Sequence, residues 1–274
     1  MPAKGEKYFF ISSLAKGLKI MEMLSEHKAL TVSEVAKQMD SNRAASHRFL
    51  ATLRELGYVE KNDDNRYQLT FRIMEMGMMV ADRFEIRQEA RKFMQDLVNT
   101  FNETVNLGFW DGNEILYLDK IDSSEVLRID ARLWSKTPAY CTALGKAVLA
   151  HLTKEEINDY LKHTRLVPHG PNTIVSKKRF REELAAILER GYSVDNEELV
   201  NGLRCVAAPV FDHTGQPRYA LSISCPTFRL SMDDVESVHP KVRDICSQLS
   251  LHIGYRPDGA GNMSYKMPKE RINK

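Results

Sequence analysis

The sequence predicts an α+β chain of two domains. A small domain of short helices comes first, then a larger one with a mostly antiparallel sheet and helices around it. Three observations carry this. At 274 residues the chain exceeds one average domain and suits two of about 100–170 residues each. Hydrophobic residues make up 43%, enough to bury a core and to exclude wholesale disorder. The texture also changes after Glu103, from helical periodicity to runs rich in β-branched and aromatic residues.

Charge and composition narrow the function classes. Lys and Arg number 39 and Asp and Glu 37, a net charge of +2, which excludes a surface coated for nucleic acid or membrane. Any polyanion site must be a local patch. The apolar run Tyr8-Phe9-Phe10-Ile11 is too short for a signal-peptide core. No stretch approaches a membrane span, so no membrane partner is expected. Cysteines stand far apart at 141, 205, 225 and 246 with no CxxC. A reduced, cytoplasmic chain is the expectation.

Residues 1–11 read as a loose arm. A first helix begins at Ser12/Ser13, with Leu14, Leu18, Ile20, Met21 and Leu24 on one stripe. The second opens with the capping box Thr31-Val32-Ser33-Glu34 and runs about nine residues, turning Val32, Val35, Ala36 and Met39 inward. Asp40-Ser41 makes a tight turn, with Ser41 as cap of a third helix from Asn42 to Leu56 that stops at Gly57.

The third helix is the informative element. Ala45, Phe49, Leu50, Leu53 and Leu56 form its buried stripe. Asn42, Arg43, Ser46, His47 and Arg48 lie on the other face near its start, with Arg54 farther on. Such side chains suit phosphate oxygens and base edges in a major groove. The helix–tight turn–helix spacing is that of a helix-turn-helix. Tyr58–Lys61, the polar tip Asn62–Asn65 and Arg66–Leu69 then read as a wing. Three arginines against Glu55 make the positive charge local to this helix.

Beyond Glu103, strands are expected at Val105–Trp110, Ile115–Leu118, Val126–Ile129, Tyr192–Asp195, Arg204–Asp212 and Tyr219–Cys225. Helices are expected at Thr142–Leu152, Lys154–Leu161 and Ser176–Arg190, and Ser231 is expected to cap a last helix to about Gly254. The domain plan is 12–71 for the DNA-binding domain, 72–88 for a linker helix, 89–254 for the sheet domain and 255–274 for a disordered tail. The linker's stripe Ile73, Met76, Met79 and Val80 has no partner within a three-helix domain and suggests a dimer interface.

These features resemble the IclR family of bacterial transcriptional regulators over about Ser12 to Gly254. The resemblance rests on Ser13-Leu14 with Gly17-Leu18, the capping-box helix, Arg48-Phe49-Leu50, Leu56-Gly57-Tyr58-Val59 and Tyr67 with Leu69-Thr70. It continues through Pro138–Ala147, Gly191–Asp195 with Glu197-Glu198, and Gly202–Asp212. It implies a winged helix-turn-helix, a linker helix and a GAF-like effector-binding domain. It further implies a homodimer or dimer of dimers on pseudo-palindromic double-stranded operators, with repression or activation of catabolic operons.

The implied DNA-contacting residues are Ser41, Asn42, Arg43, Ser46, His47, Arg48 and Arg54. The implied effector site comprises Ala143 and Leu144 at a helix start, Asp195, Cys205, Ser222 and Ser224. The residues support this reading on their own. N–H groups around Thr142–Leu144 attract a carboxylate. Ser222 and Ser224, two apart on a strand, face the same side. Leu144, Val206 and Ile223 are candidate apolar walls, although alternation turns Ile223 away. A small carboxylate or sugar acid is the expected effector, and no cofactor is expected.

Other motifs in the sequence have simpler structural readings. Gly145-Lys146 lacks the glycine and the Ser/Thr of a Walker loop, so Lys146 reads as structural. The histidines form no HExxH or close-spaced metal pair. The rival function is a cysteine-dependent enzyme or redox sensor with Cys205 as nucleophile and Asp195 as partner, which lacks a nucleophile–base–orienter set. A further rival is a signalling module whose helix-turn-helix binds protein.

Overall fold

A computed structural model of the protein describes residues 10–81, 85–126 and 131–257. It comprises two compact units, divided between Phe84 and Glu85. In the first unit, α1 (Ser12–Glu26), α2 (Val32–Gln38) and α3 (Arg43–Glu55) precede a hairpin of β1 (Val59–Lys61) and β2 (Tyr67–Leu69), and α4 (Arg72–Ala81) follows. Ile20, Met23, Leu24, Leu30, Val35, Leu50, Leu53, Val59 and Tyr67 make one core.

Local chemistry explains the boundaries. Thr31 Oγ1 accepts the Glu34 N–H at 3.2 Å while Glu34 Oε2 accepts the Thr31 N–H at 2.7 Å, the reciprocal cap that starts α2. Arg66 Nη2 donates to both Glu34 oxygens at 2.8 Å, so the hairpin is tied to the same cap. Gly57 ends α3 with φ +78, a conformation that a Cβ disfavours.

In the second unit, six strands form one antiparallel sheet in the order β5-β4-β3-β8-β7-β6. They are β3 (Thr104–Trp110), β4 (Glu114–Ile121), β5 (Lys136–Pro138), β6 (Ser193–Asn196), β7 (Leu203–Val210) and β8 (Tyr219–Pro226). Helices α5 (Ile86–Phe101) and α9 (Val235–His252) pack on one face. On the other lies α6 (Ala143–Leu149), backed by α8 (Lys177–Arg190), with α7 (Lys154–His163) adding Tyr160 and Leu161 to the same core.

Several expectations need correction. Leu14 and Leu18 are exposed, and Met23 joins Ile20 and Leu24 inside, because α1 meets its neighbours only along its C-terminal half. Leu56 is also exposed, since α3 ends before it. Asn42, not Ser41, caps α3: Asn42 Oδ1 accepts the Ala45 N–H at 2.7 Å. The last helix begins at Val235 rather than Ser231. Ser231 and Asp234 instead close a turn ahead of it, with the Ser231 N–H donating to Asp234 at 2.8 Å. The short edge strand β5 has no counterpart in the sequence reading. The strand expected at Val126–Ile129 falls mostly outside the described residues, as does the tail beyond 257 and part of the expected linker helix.

Candidate functional site

In the first unit, the solvent face of α3 is set by what the other face must bury. Ser46, Leu50 and Leu53 point inward. Arg43, Ala44, His47, Arg48, Ala51, Thr52 and Arg54 are left exposed. Among the described residues, the side chains of Arg43, His47, Arg48 and Arg54 make no hydrogen bond or ion pair within the protein, so their donors remain available. Ala44 and Ala51 lie at the centre of this face, and small side chains there let the helix approach a groove closely. Arg54 sits about 16 Å along the axis from Arg43, too far for the two to reach one base step.

Two expected members behave differently. Ser46 is 1% exposed, and its hydroxyl shares a 2.7 Å hydrogen bond with that of Ser41. This pair closes the turn between α2 and α3, so Ser46 is a packing residue and not part of the exposed face. Asn42 is exposed, but its carboxamide oxygen is committed to the cap. The wing tip carries Asp63 and Asp64, both exposed. Their charge repels phosphate, whereas the α3 face carries the exposed cations Arg43, Arg48 and Arg54.

In the second unit, one cavity lies between α6 and the sheet. Thr142, Ala143, Leu144, Asp195, Cys205, Ser222 and Ser224, all seven residues singled out from the sequence, line it. Asn106, Tyr117, Ala131, Leu199 and Leu203 complete the wall. Its free space is about 20 Å³, room for about one water molecule. Val206 and Ile223 do not line it. Alternation along β7 and β8 turns them to the α5/α9 face, which corrects the expectation for Val206.

The sheet register explains the convergence. Asn106 pairs with Ser222 across β3 and β8, and Cys205 pairs with Ser224 across β7 and β8. Asp195 of β6 is opposite Cys205. Directly paired residues point to the same side, so one patch collects polar groups from four strands. Above it, Thr142 Oγ1 accepts the Gly145 N–H at 3.1 Å to cap α6. Gly145 is required by packing, since a Cβ there would lie 2.2 Å from the Ala139 carbonyl oxygen. That accounts for the Gly-Lys pair without a phosphate loop.

Burial tunes the acids and thiols. Asp195 is 1% exposed, and burial pushes its carboxyl up to about 7. The Glu198 N–H, donating to Asp195 Oδ1 at 2.8 Å, and nearby Lys146 oppose that shift. Lys146, also 1% exposed, forms a buried ion pair with Glu198 behind the cavity. Cys205 is pushed upward by burial and then by Asp195, and its sulfur lies 3.2 Å from Ser224 Oγ. Cys141, Cys225 and Cys246 are each pushed up to about 12 by burial. A reactive thiol needs the opposite shift, so nothing here activates Cys205 as a nucleophile. Among the described residues no group of three or more His, Cys, Asp or Glu is placed to hold a metal ion. No helix among them is long and apolar enough to cross a membrane.

The family model of the IclR helix-turn-helix domain matches residues 13–63, and that of the bacterial transcriptional regulator IclR C-terminal matches residues 78–251. The chain belongs to the IclR family. Among IclR-family relatives, the HTH-type transcriptional regulator KdgR of Escherichia coli is 33% identical over 247 residues, covering 88% of this chain and 94% of the relative. The HTH-type transcriptional regulator KipR of Bacillus subtilis is 30% identical over 243 residues, 89% of this chain and 97% of its own length. The crystal structure of the Thermotoga maritima IclR superimposes with a TM-score of 0.76 at 32% identity, covering 90% of this chain and all of that one. The IclR family is one of transcriptional regulators; its helix-turn-helix model lies within the unit bearing the α3 face, and its C-terminal model covers most of the unit bearing the cavity.

The sequence did not single out Asn106, Tyr117, Ala131, Leu199 and Leu203 in the cavity or the partner of Lys146. One signal was present: Asn106 is a polar residue in the middle of the apolar run Val105–Trp110. Its polarity makes sense only if that side of the strand faces something other than a dry core.

Proposed function

We propose that this regulator binds pseudo-palindromic operator DNA through the exposed face of α3 and releases or grips it when a small carboxylate or sugar acid occupies the cavity of the second unit, which widens from about 20 Å³ to admit the ligand. Arg43, His47 and Arg48 read base edges or phosphates, and Arg54 contacts phosphate. Ser222, Ser224 and Asp195 hold the effector, with the first N–H groups of α6 adding a weak positive pole. The protein acts as a homodimer or dimer of dimers in the cytoplasm and controls a catabolic operon. Effector and operator affinities are coupled through residues 72–88 by about 1–3 kcal/mol.

The observation that carries this reading is the pairing of two unsatisfied chemistries in one chain. Unit one presents cationic donors with no internal partner. Unit two buries hydroxyls and a titratable acid around a cavity, which a dry core does not need. The test is selection of DNA fragments on the full chain, followed by anisotropy titration at two salt concentrations. Selected fragments bind more tightly than random DNA, and affinity falls steeply with salt through counterion release. Failure to enrich any sequence, or salt-insensitive binding, overturns the reading. A thermal-shift screen of small carboxylates tests the effector arm, because a true effector stabilises the fold by mass action.

A further inference from the structure

We propose that Asn106 is the specificity-determining residue of the cavity: its carboxamide recognises a ligand hydroxyl, so a hydroxylated carboxylate is bound in preference to the same acid without the hydroxyl. This rests on the reading of the cavity as an effector site.

Asn106 occupies the middle of β3, 1% exposed, between Ser222 on one neighbouring strand and Lys120 on the other. Its Nδ2 donates to Ser224 Oγ at 3.0 Å. Its Oδ1 is buried and has no hydrogen-bond partner among the described residues. Turning the amide over exchanges the roles and leaves the nitrogen unpaired instead. In either orientation one polar atom of this side chain lacks a protein partner. Buried groups of this kind are uncommon in native proteins, and an apolar residue of similar size would fill the strand position without the deficit. Asn106 also lines the same cavity as Asp195.

A hydroxyl is the group that fits. It donates and accepts, so it satisfies the free amide atom in either orientation, and it can donate to Asp195 or accept from its protonated form. Plain carboxylates and alkyl chains leave the amide unpaired. Sites built to hydrogen-bond a hydroxyl discriminate strongly against analogues lacking it, for that reason.

The experiment uses the full chain and matched acids: glycolate with acetate, lactate with propionate, and 3-hydroxybutyrate with butyrate. Alanine is added as an ammonium-bearing probe. Calorimetric titration gives the affinity ratio within each pair. The wild-type protein favours the hydroxylated member of at least one pair by about tenfold or more. Asn106→Leu binds both members equally, and its ligand-free melting temperature equals or exceeds that of the wild type, which a merely structural asparagine would not allow. Asn106→Ser, with a shorter side chain, is the second variant should leucine prevent folding, and it also loses the preference. A preference that survives in either folded variant overturns the proposal, as does wild-type binding of acids without preference or with alanine ahead of lactate. If no probe binds the wild type, the effector reading itself fails and this inference falls with it.

Discussion

The ammonium of Lys146 and the carboxylate of Glu198 form an ion pair buried behind the cavity. Lys146 belongs to α6, and Glu198 to the turn that follows β6, the strand of Asp195, and that also carries Leu199. Lys146 Nζ donates in addition to the Val194 carbonyl at 2.5 Å. The turn is anchored from outside as well. The Gly170 N–H donates to the Glu198 carbonyl at 2.8 Å, and Glu197 is held at φ +58. The pair therefore joins two walls of the cavity, and α6 cannot shift without disturbing the segment that holds Asp195.

Removing one partner of such a pair leaves an uncompensated charge in the core. Lys146→Met is expected to destabilise the second unit by about 3–5 kcal/mol. Glu198→Gln placed on top of it restores a large part of that loss, because the orphan carboxylate is gone. Urea unfolding of the two variants and the wild type measures both steps. Equal stability of single and double variants refutes the interaction.

Asp195 makes stability depend on pH. Its carboxyl is raised from 3.8 to about 7 in the fold. The folded state thus keeps a proton that the unfolded chain has lost between about pH 4 and 7. Folded protein binds more protons there, so this group's contribution to stability falls as pH rises through the window. Lys146 opposes the shift and Glu198 adds to it. Tyr117 and Cys205 stay neutral throughout, since burial pushes both upward. Asp195→Asn removes a penalty of about 4 kcal/mol at pH 8 and flattens the profile. Denaturation midpoints of both proteins at pH 5 and pH 8 check this. If Asp195 lines the effector site, binding of a carboxylate also weakens as pH rises past 7, because the acid then carries a like charge.

On α3, Arg43→Ala or Arg48→Ala is expected to weaken operator binding by about 1–3 kcal/mol and to relax base preference at one position. Neither side chain makes an internal bond, so the melting temperature stays put. Ser46→Ala has the opposite profile. It removes the hydroxyl bonded to Ser41, lowers stability by about 1 kcal/mol, and leaves base preference intact. Anisotropy titrations paired with thermal melts separate the two classes. A melting point unchanged in Ser46→Ala, or unchanged affinity in both arginine variants, contradicts the assignment of faces.

The expectation of a dimer draws on apolar surface that the first unit leaves uncovered. Leu14 and Leu18 on α1 and Met76 and Met79 on α4 are exposed, Met79 at 69%. Several large apolar side chains left exposed on a small unit mark an interface more often than a free face. Leu18→Glu with Met79→Glu is expected to shift the protein toward monomer in multi-angle light scattering at micromolar concentration. A wild type that is already monomeric, with and without DNA, disproves the dimer.

Periodicity and capping residues were enough to place nearly every helix and strand. Thr31-x-x-Glu34 started α2, Gly57 stopped α3, and alternation fixed which side of β8 carries Ser222 and Ser224. Those features are local, governed by backbone geometry within a few residues. Burial of Ser46 and exposure of Leu14, Leu18 and Leu56 were not legible, because they depend on where a neighbouring element ends. The cavity was half legible. Six residues could be named by motif and Thr142 by its place at a helix start, but Asn106 lies dozens of residues from any of them, and Lys146 and Glu198, each near a named residue, stand 52 residues apart from one another. Only strand order and register brought those groups together, since a hydrogen-bond deficit or a buried charge exists only once the surrounding chain has excluded water.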